Sequence, residues 1–204
     1  MKPALKSLVT GISLFLVWPL ALAAGFGKFR AGFIAASQIV SLAPGIPGDY
    51  LRTAFYRLTL RSCSLGSRVS FGTIFSNSEA AIGHSVYIGP YCVIGRARIG
   101  DHTQIASHVQ ILSGARQHGR DETGRLLGSE EGMFRQVSIG AHSWIGASAI
   151  VMADIGTGTT VGAGAVVTKE IPDNVIAVGN PARVLRSTAV DDSGKVRETP
   201  DSFV

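Results

Sequence analysis

The chain has 204 residues, 46% of them hydrophobic, and a formal charge of +5. That length suggests one domain with appendages. The modest basic excess, without interleaved aromatics, argues against a nucleic-acid module and leaves membrane surfaces or phosphates as basic-patch partners, through the first 62 residues and the region Arg116–Arg135. Two cysteines, Cys63 and Cys92, are too few for a disulfide framework and suggest a reducing compartment.

The mean hydropathy of +0.28 is high for a soluble domain, and the excess lies at the N-terminus. Ser7 to Gly27 carries no charge and is flanked by Lys2, Lys6, Lys28 and Arg30; a weaker uncharged run follows from Ala31 to Gly48. A secretory signal, a single spanning anchor and a helical hairpin dipping into one leaflet, broken near Gly25–Gly27, all fit these runs. Asp49 to Arg61 reads as a short helix with Asp49 as its cap and Leu51, Ala54, Phe55 and Leu58 at helical spacing. Its interspersed Arg52, Arg57 and Arg61 suit either a membrane surface or a helix covering the end of the next domain. Residues 1–62 are thus expected to form a hydrophobic membrane-associating segment plus an amphipathic helix.

From about Cys63 a six-residue period emerges. It is clear at Ile82-Gly-His-Ser-Val-Tyr, Ile88-Gly-Pro-Tyr-Cys-Val, Ile99-Gly-Asp-His-Thr-Gln and Ile105-Ala-Ser-His-Val-Gln, and clearest between Ile139 and Ile171. There the sixes begin at Ile139, Ile145, Ile155, Val161 and Val167, with a four-residue break from Val151 to Asp154. Neither helical periodicity nor simple alternation produces this pattern, which is that of a solenoid. The aliphatic opening each six points inward, Gly accommodates the corner, and a small fifth residue fits where the chain turns. Three sides make a coil of about eighteen residues, stacked at about 4.8 Å. Residues 63–186 are assigned to this domain, with an excursion loop at 114–136 where the period is lost, and 187–204 are expected to be a disordered tail. Beyond Ile176 the chain is expected to leave the stack.

Three further pieces are specific: Ile111-Leu-Ser-Gly-Ala-Arg-Gln-His118; Ser143-Trp-Ile-Gly-Ala147; and Gly164-Ala-Val-Val-Thr-Lys169 followed by Gly179-Asn-Pro-Ala-Arg183. With the sixes, they resemble the hexapeptide-repeat acyltransferases, most of all the maltose, nodulation and xenobiotic acetyltransferases and those of surface-polysaccharide synthesis. The resemblance covers about Ala81 to Arg186. It implies an all-β left-handed parallel β-helix, here preceded by a hydrophobic helical segment and interrupted by one long loop. It also implies homotrimers with an acyl tunnel between subunits, acetyl-CoA as donor, and no metal.

Acyl transfer to an alcohol needs a base for the hydroxyl proton, donors for the oxyanion and a grip on the carrier. His118, on the loop and able to titrate near neutrality, is the candidate base. Glu131 or its neighbour Glu130 stands where related sugar acetyltransferases keep an acidic residue near the acceptor, while Asp121 or Glu122 could orient His118. The resemblance puts backbone donors at Ala147 and Ala165, which, eighteen apart, are expected to stack on one face. Trp144 would shape the acyl groove; Thr168, Lys169 and Arg183 would meet the nucleotide end of coenzyme A. His84, His102, His108 and His142 occupy outward places and are expected to be surface side chains, His84 stacking beneath His102. Cys92 holds a core position and is badly placed as a nucleophile.

The expected function is acetyl-CoA-dependent O-acetylation of a saccharide hydroxyl by direct attack. The cytoplasmic thioester favours retention of the apolar segment at the cytoplasmic face of the inner (plasma) membrane over its cleavage. A membrane-attached enzyme in turn suggests a lipid-linked or surface-polysaccharide precursor as acceptor. The alternatives are a non-catalytic solenoid scaffold and a zinc hydratase of carbonic-anhydrase type, which would need three converging histidines.

Overall fold

The computed structural model describes residues 3–114, 121–126 and 134–188. Two helices, α1 (Pro3–Ala23) and α2 (Arg30–Ser41), are joined by a 3-10 turn at Gly25–Gly27, and α3 (Gly45–Thr59) follows. Gly25, Phe26 and Gly27 all have positive φ, which reverses the chain between α1 and α2. A side chain at Gly27 would collide with the carbonyl of Thr59, so α3 packs on the turn itself. The helix expected over Asp49–Arg61 thus begins earlier. Pro44 holds its N-terminal boundary, without a side-chain cap, and Asp49 lies within it.

The coils follow. One side of the stack is a parallel sheet of β1 (Ser62–Cys63), β4 (Ala81–Ile82), β7 (Ala97–Ile99) and β10 (Val137–Ile139). The second holds β2 (Arg68–Val69), β5 (Tyr87–Ile88), β8 (Gln104–Ile105), β11 (Trp144–Ile145), β13 (Thr160–Val161) and β15 (Val175–Val178). The third holds β3 (Ile74–Phe75), β6 (Val93–Ile94), β9 (Gln110–Ile111), β12 (Ile150–Val151) and β14 (Val166–Val167). Inside, the aliphatics form ladders one coil high per step, among them Ile88, Ile105, Ile145 and Val161, all fully buried.

The coil is not eighteen residues long. Ile82 pairs with Cys63, Ile99 with Ile82, Ile139 with Ile99, Ile155 with Ile139 and Ile171 with Ile155, giving steps of 19, 17, 40, 16 and 16 residues. The step of 40 contains the excursion loop, whose two ends are pinned where the amide of Arg135 donates to the carbonyl of Ser113 at 2.9 Å. The short steps arise because the third side ends in four residues, Val151–Asp154 and Val167–Glu170, instead of six.

The glycines at the second place also work differently from the sequence reading. Their φ is not positive; the left-handed residues are those at the fourth place, such as His102, His142 and Ser148. Glycine is needed at the second place because the next coil lies on it: a Cβ at Gly146 would stand 2.5 Å from the amide nitrogen of Ala163.

Both ends of the stack are closed. Beyond Ile176 the chain does not leave; β16 (Arg183–Ser187) folds back antiparallel onto β15. At the other end α2 and α3 supply groups to the open first coil. The Arg52 guanidinium is fully buried. It donates to the carbonyls of Val69 (2.9 Å), Ser41 (3.2 Å) and Ala43 (2.5 Å) and pairs with Asp49 at 2.6 Å. Asp49 also binds Arg68 of β2 at 2.6 Å. The Ser37 and Tyr56 hydroxyls share a hydrogen bond of 2.8 Å, Ser37 Oγ accepts the amide of Phe75, and the Tyr56 ring lies 4.5 Å from that of Phe75. Of the two readings of α3, the structure takes the end cap: its central arginine faces the coil. Arg52→Ala would cost Asp49 its buried partner, leaving it Arg68, and would take the guanidinium donor from three carbonyls. We expect it to lower stability by roughly 3–5 kcal/mol, measured by urea unfolding of the purified chain.

Candidate active site

Trp144 stands on the second sheet facing outward, 55% exposed, in register between Gln104 of β8 and Thr160 of β13. The chain then turns the corner towards the third side, and here the changed coil length matters. Because Ile145 pairs with Val161, the residue above Ala147 is Ala163. The corner hydrogen bond agrees, with the amide of Gly164 donating to the carbonyl of Ala147 at 2.8 Å. Ala165 is therefore not the stacking partner of Ala147. It points inward, fully buried, and its amide donates to Gly162 within the turn at 3.3 Å. The amides of Ala147 and Ala163, by contrast, have no hydrogen-bond acceptor among the described residues, and Ala163 is exposed. Sequence reasoning missed Ala163 because it assumed eighteen-residue coils; the four-residue break from Val151 to Asp154 was the available signal.

Thr168 and Lys169 are exposed just beyond β14. The loop from Gly179 to Ala182 crosses that strand: the amide of Val166 donates to Gly179 at 3.0 Å, and the amide of Ala182 donates back to Val166 at 2.8 Å. Exposed Arg183 is thereby carried to β14, just beyond which Thr168 and Lys169 follow. Lys169 thus ends the coil that also carries Ala163, and Arg183 stands on the fold-back strand that follows the next coil.

His118, Glu130 and Glu131 lie outside the described residues. Asp121 is engaged locally: its carboxylate accepts from the amides of Thr123 and Arg125 and from the Thr123 hydroxyl at 2.6 Å. These bonds, that to the Thr123 hydroxyl foremost, hold the carboxyl below its usual range. The root of the loop is charged, with Arg135 on Asp154 at 2.6 Å and Arg96 facing Glu79 at 3.9 Å.

The outward histidines stack. His84 lies 6.0 Å from His102, and His102 lies 4.9 Å from His142 with rings 13° from parallel. His84 meets His102 edge to face, at 65°, whereas the near-parallel rings of His102 and His142 aim their nitrogen lone pairs side by side, the geometry of stacked surface side chains. His108 stacks similarly on Tyr91 at 5.2 Å.

Residues 79–113 match the family model for the bacterial transferase hexapeptide of six repeats. Over this stretch the coils are similar to those of the hexapeptide-repeat transferases. A Saccharomyces cerevisiae protein named "Putative acetyltransferase" is 36% identical over 121 residues, which cover 57% of this chain and 60% of that protein. The chain spans about half the length of the curated relatives it matches. Among solved structures, a maltose O-acetyltransferase from Clostridium difficile superposes with a TM-score of 0.67 at 25% identity, covering 83% of this chain and 91% of that one. An N-acyltransferase from Bacillus cereus, crystallised with dTDP-4-amino-4,6-dideoxyglucose and coenzyme A, shares the fold with a TM-score of 0.52 at 22% identity, over 60% of this chain and 70% of that one.

Cys92 Sγ is fully enclosed, 3.1 Å from the carbonyl of Ala106, and burial raises its thiol above the ordinary value. Burial likewise pushes Cys63 from an ordinary value of 9.0 up to about 12. Neither thiol is a ready nucleophile. The folded chain keeps Cys63 protonated where the unfolded chain would lose the proton, so the folded state is favoured below about pH 9, and that advantage is lost progressively towards pH 12. Stability followed by urea unfolding should therefore fall between pH 9 and 12, and Cys63→Ala should flatten the slope.

Proposed function

We propose that the chain is an acetyl-CoA-dependent acyltransferase that acetylates a hydroxyl of a saccharide, with a lipid-linked or surface-polysaccharide precursor as acceptor. The observation that carries this reading is the corner where the amides of Ala147 and Ala163 stand unpaired, one coil above the other. Trp144 lies on the adjoining face, Lys169 ends the coil that carries Ala163, and Arg183 stands on the fold-back strand. Two neighbouring N–H groups suit the amide carbonyls of an extended pantetheine arm or a developing oxyanion. An ammonium and a guanidinium suit the phosphates at the other end of coenzyme A, with Thr168 beside them. Similarity to a maltose O-acetyltransferase supports transfer to a sugar, and the coenzyme A of the fold neighbour supports the donor.

In this mechanism His118 takes the proton from the acceptor hydroxyl as its oxygen attacks the thioester carbonyl, Glu131 holds the acceptor, and the tetrahedral intermediate expels the coenzyme A thiolate. No acyl-enzyme forms, in keeping with the enclosed cysteines. The working unit is a homotrimer, at the cytoplasmic face of the inner membrane where acetyl-CoA is present. A sugar amine as acceptor is the second reading, prompted by the N-acyltransferase neighbour; offering hydroxyl and amino sugars in parallel separates the two.

Thiol release from acetyl-CoA in the presence of a lipid-linked saccharide extract provides the assay. His118→Ala should reduce turnover by about 10²–10⁴-fold while coenzyme A binding persists. Equal turnover in both proteins would remove His118 from this role. Lys169→Ala and Arg183→Ala should each weaken coenzyme A binding by about tenfold, in calorimetry at low salt, with turnover at saturating donor largely kept. Gly146→Ala would press a methyl group onto the amide of Ala163 and is expected to raise KM for acetyl-CoA even where the stack still folds.

A further inference from the structure

Helix α1 is built inside out for a water-soluble domain. The stripe it buries most deeply is Ser13, Val17 and Ala21, with Ala24 just beyond the helix and Leu14 and Leu20 half-buried beside it. The opposite face carries its large apolar side chains, with Leu8 at 60%, Phe15 at 80%, Leu16 at 61% and Trp18 at 51% exposure. A helix that buries one narrow stripe and presents most of its large apolar residues is packed for a surrounding that favours apolar groups. Phe29, Ile39, Leu42 and Ile46, on and beside α2 and at the start of α3, are exposed as well.

The neighbours of α1 decide how it meets that surrounding. It packs along α3, and α3 in turn packs on β1 and β2 of the first coil. α3 is enclosed between them, with Asp49, Arg52 and Tyr56 buried. If α1 crossed a bilayer along its 21 residues, about 32 Å, the partner helix and the polar rim of the first coil, with exposed Arg61 and Arg68, would be drawn into hydrocarbon with it. The charges point the same way. No acidic residue precedes Asp49, while Lys6 lies near the start of α1 and Lys28 just past its end, both exposed. Lying in the interface, the helix puts both cations at the level of anionic headgroups on one side; crossing, it would send them to opposite sides.

We infer that the protein is monotopic: α1 lies in one leaflet of an anionic bilayer with its Leu8–Phe15–Trp18 face in the acyl region, and α3 forms the floor on which the coils stand. The inference concerns the helical end and does not depend on the transferase reading. It places the stack on the membrane through the first coil, with the C-terminal end of the stack, bearing Lys169 and Arg183, directed away from the lipid.

The test uses the full chain and sealed vesicles of phosphatidylethanolamine and phosphatidylglycerol, to which the protein is added from outside. The expected result is flotation with the vesicles, weakened at least about tenfold by the exposed-face change Phe15→Glu with Leu16→Glu, without loss of the thermal unfolding transition. Lys6→Cys and Lys28→Cys variants are then labelled with a membrane-impermeant maleimide, the buried native cysteines giving the background. Reaction at both positions without detergent supports the monotopic arrangement. Protection of one position until detergent is added would show a crossing helix and overturn it. Absence of vesicle binding together with a larger oligomer that Leu16→Glu dissociates would show that a second copy covers the face, and would also overturn it. So would a membrane-fraction chain whose intact mass lacks residues 1–23.

Discussion

The structure depends on coil-to-coil register. Each coil gives its strand amides and carbonyls to the coil above and below, so the position of every corner follows from how many residues the coil beneath used. A two-residue shortening of one side carries through the rest of the stack. It brings Ala163, and not the inward fifth-place Ala165, over Ala147, and so decides which backbone N–H groups stand one above the other at that corner. The same closeness explains the recurring glycine, whose missing Cβ leaves room for the next backbone and not for a tight turn.

A stack so built has two raw ends. The C-terminal end is finished by strand pairing, β16 on β15, and that fold-back carries Arg183 to β14. The N-terminal end is finished by a buried guanidinium and two hydroxyls that satisfy first-coil carbonyls and amides. A buried charge is costly unless fully partnered, and Arg52 meets that demand with three carbonyls and a carboxylate. Because α3 must serve the coil, its other side is left for α1, and α1 in turn is left with its apolar face outward. Capping and the outward apolar face are two consequences of one arrangement.

The sequence alone determined the solenoid, since a six-residue aliphatic period fits neither a helix nor simple strand alternation, and with it the position of the long loop and the outward places of the histidines. Of the three readings open for the apolar runs, the turn at Gly25–Gly27 is the one seen between α1 and α2. The sequence also marked Trp144, Thr168, Lys169 and Arg183 through motifs whose neighbours are local in the chain. What it could not determine was whatever depends on counting across coils or on which face of a helix is covered. The pairing of Ala147 with Ala163 rests on a register that accumulates over Val151–Asp154. The burial of Arg52, a residue type that ordinarily seeks water, rests on carbonyls presented by the end of a coil 17 residues away. The outward turn of Phe15 and Trp18 rests on α3 covering the opposite side of α1, where Ser13, Val17 and Ala21 are buried. Those are tertiary decisions, because in each the deciding partner is distant along the chain and close only after the stack has formed.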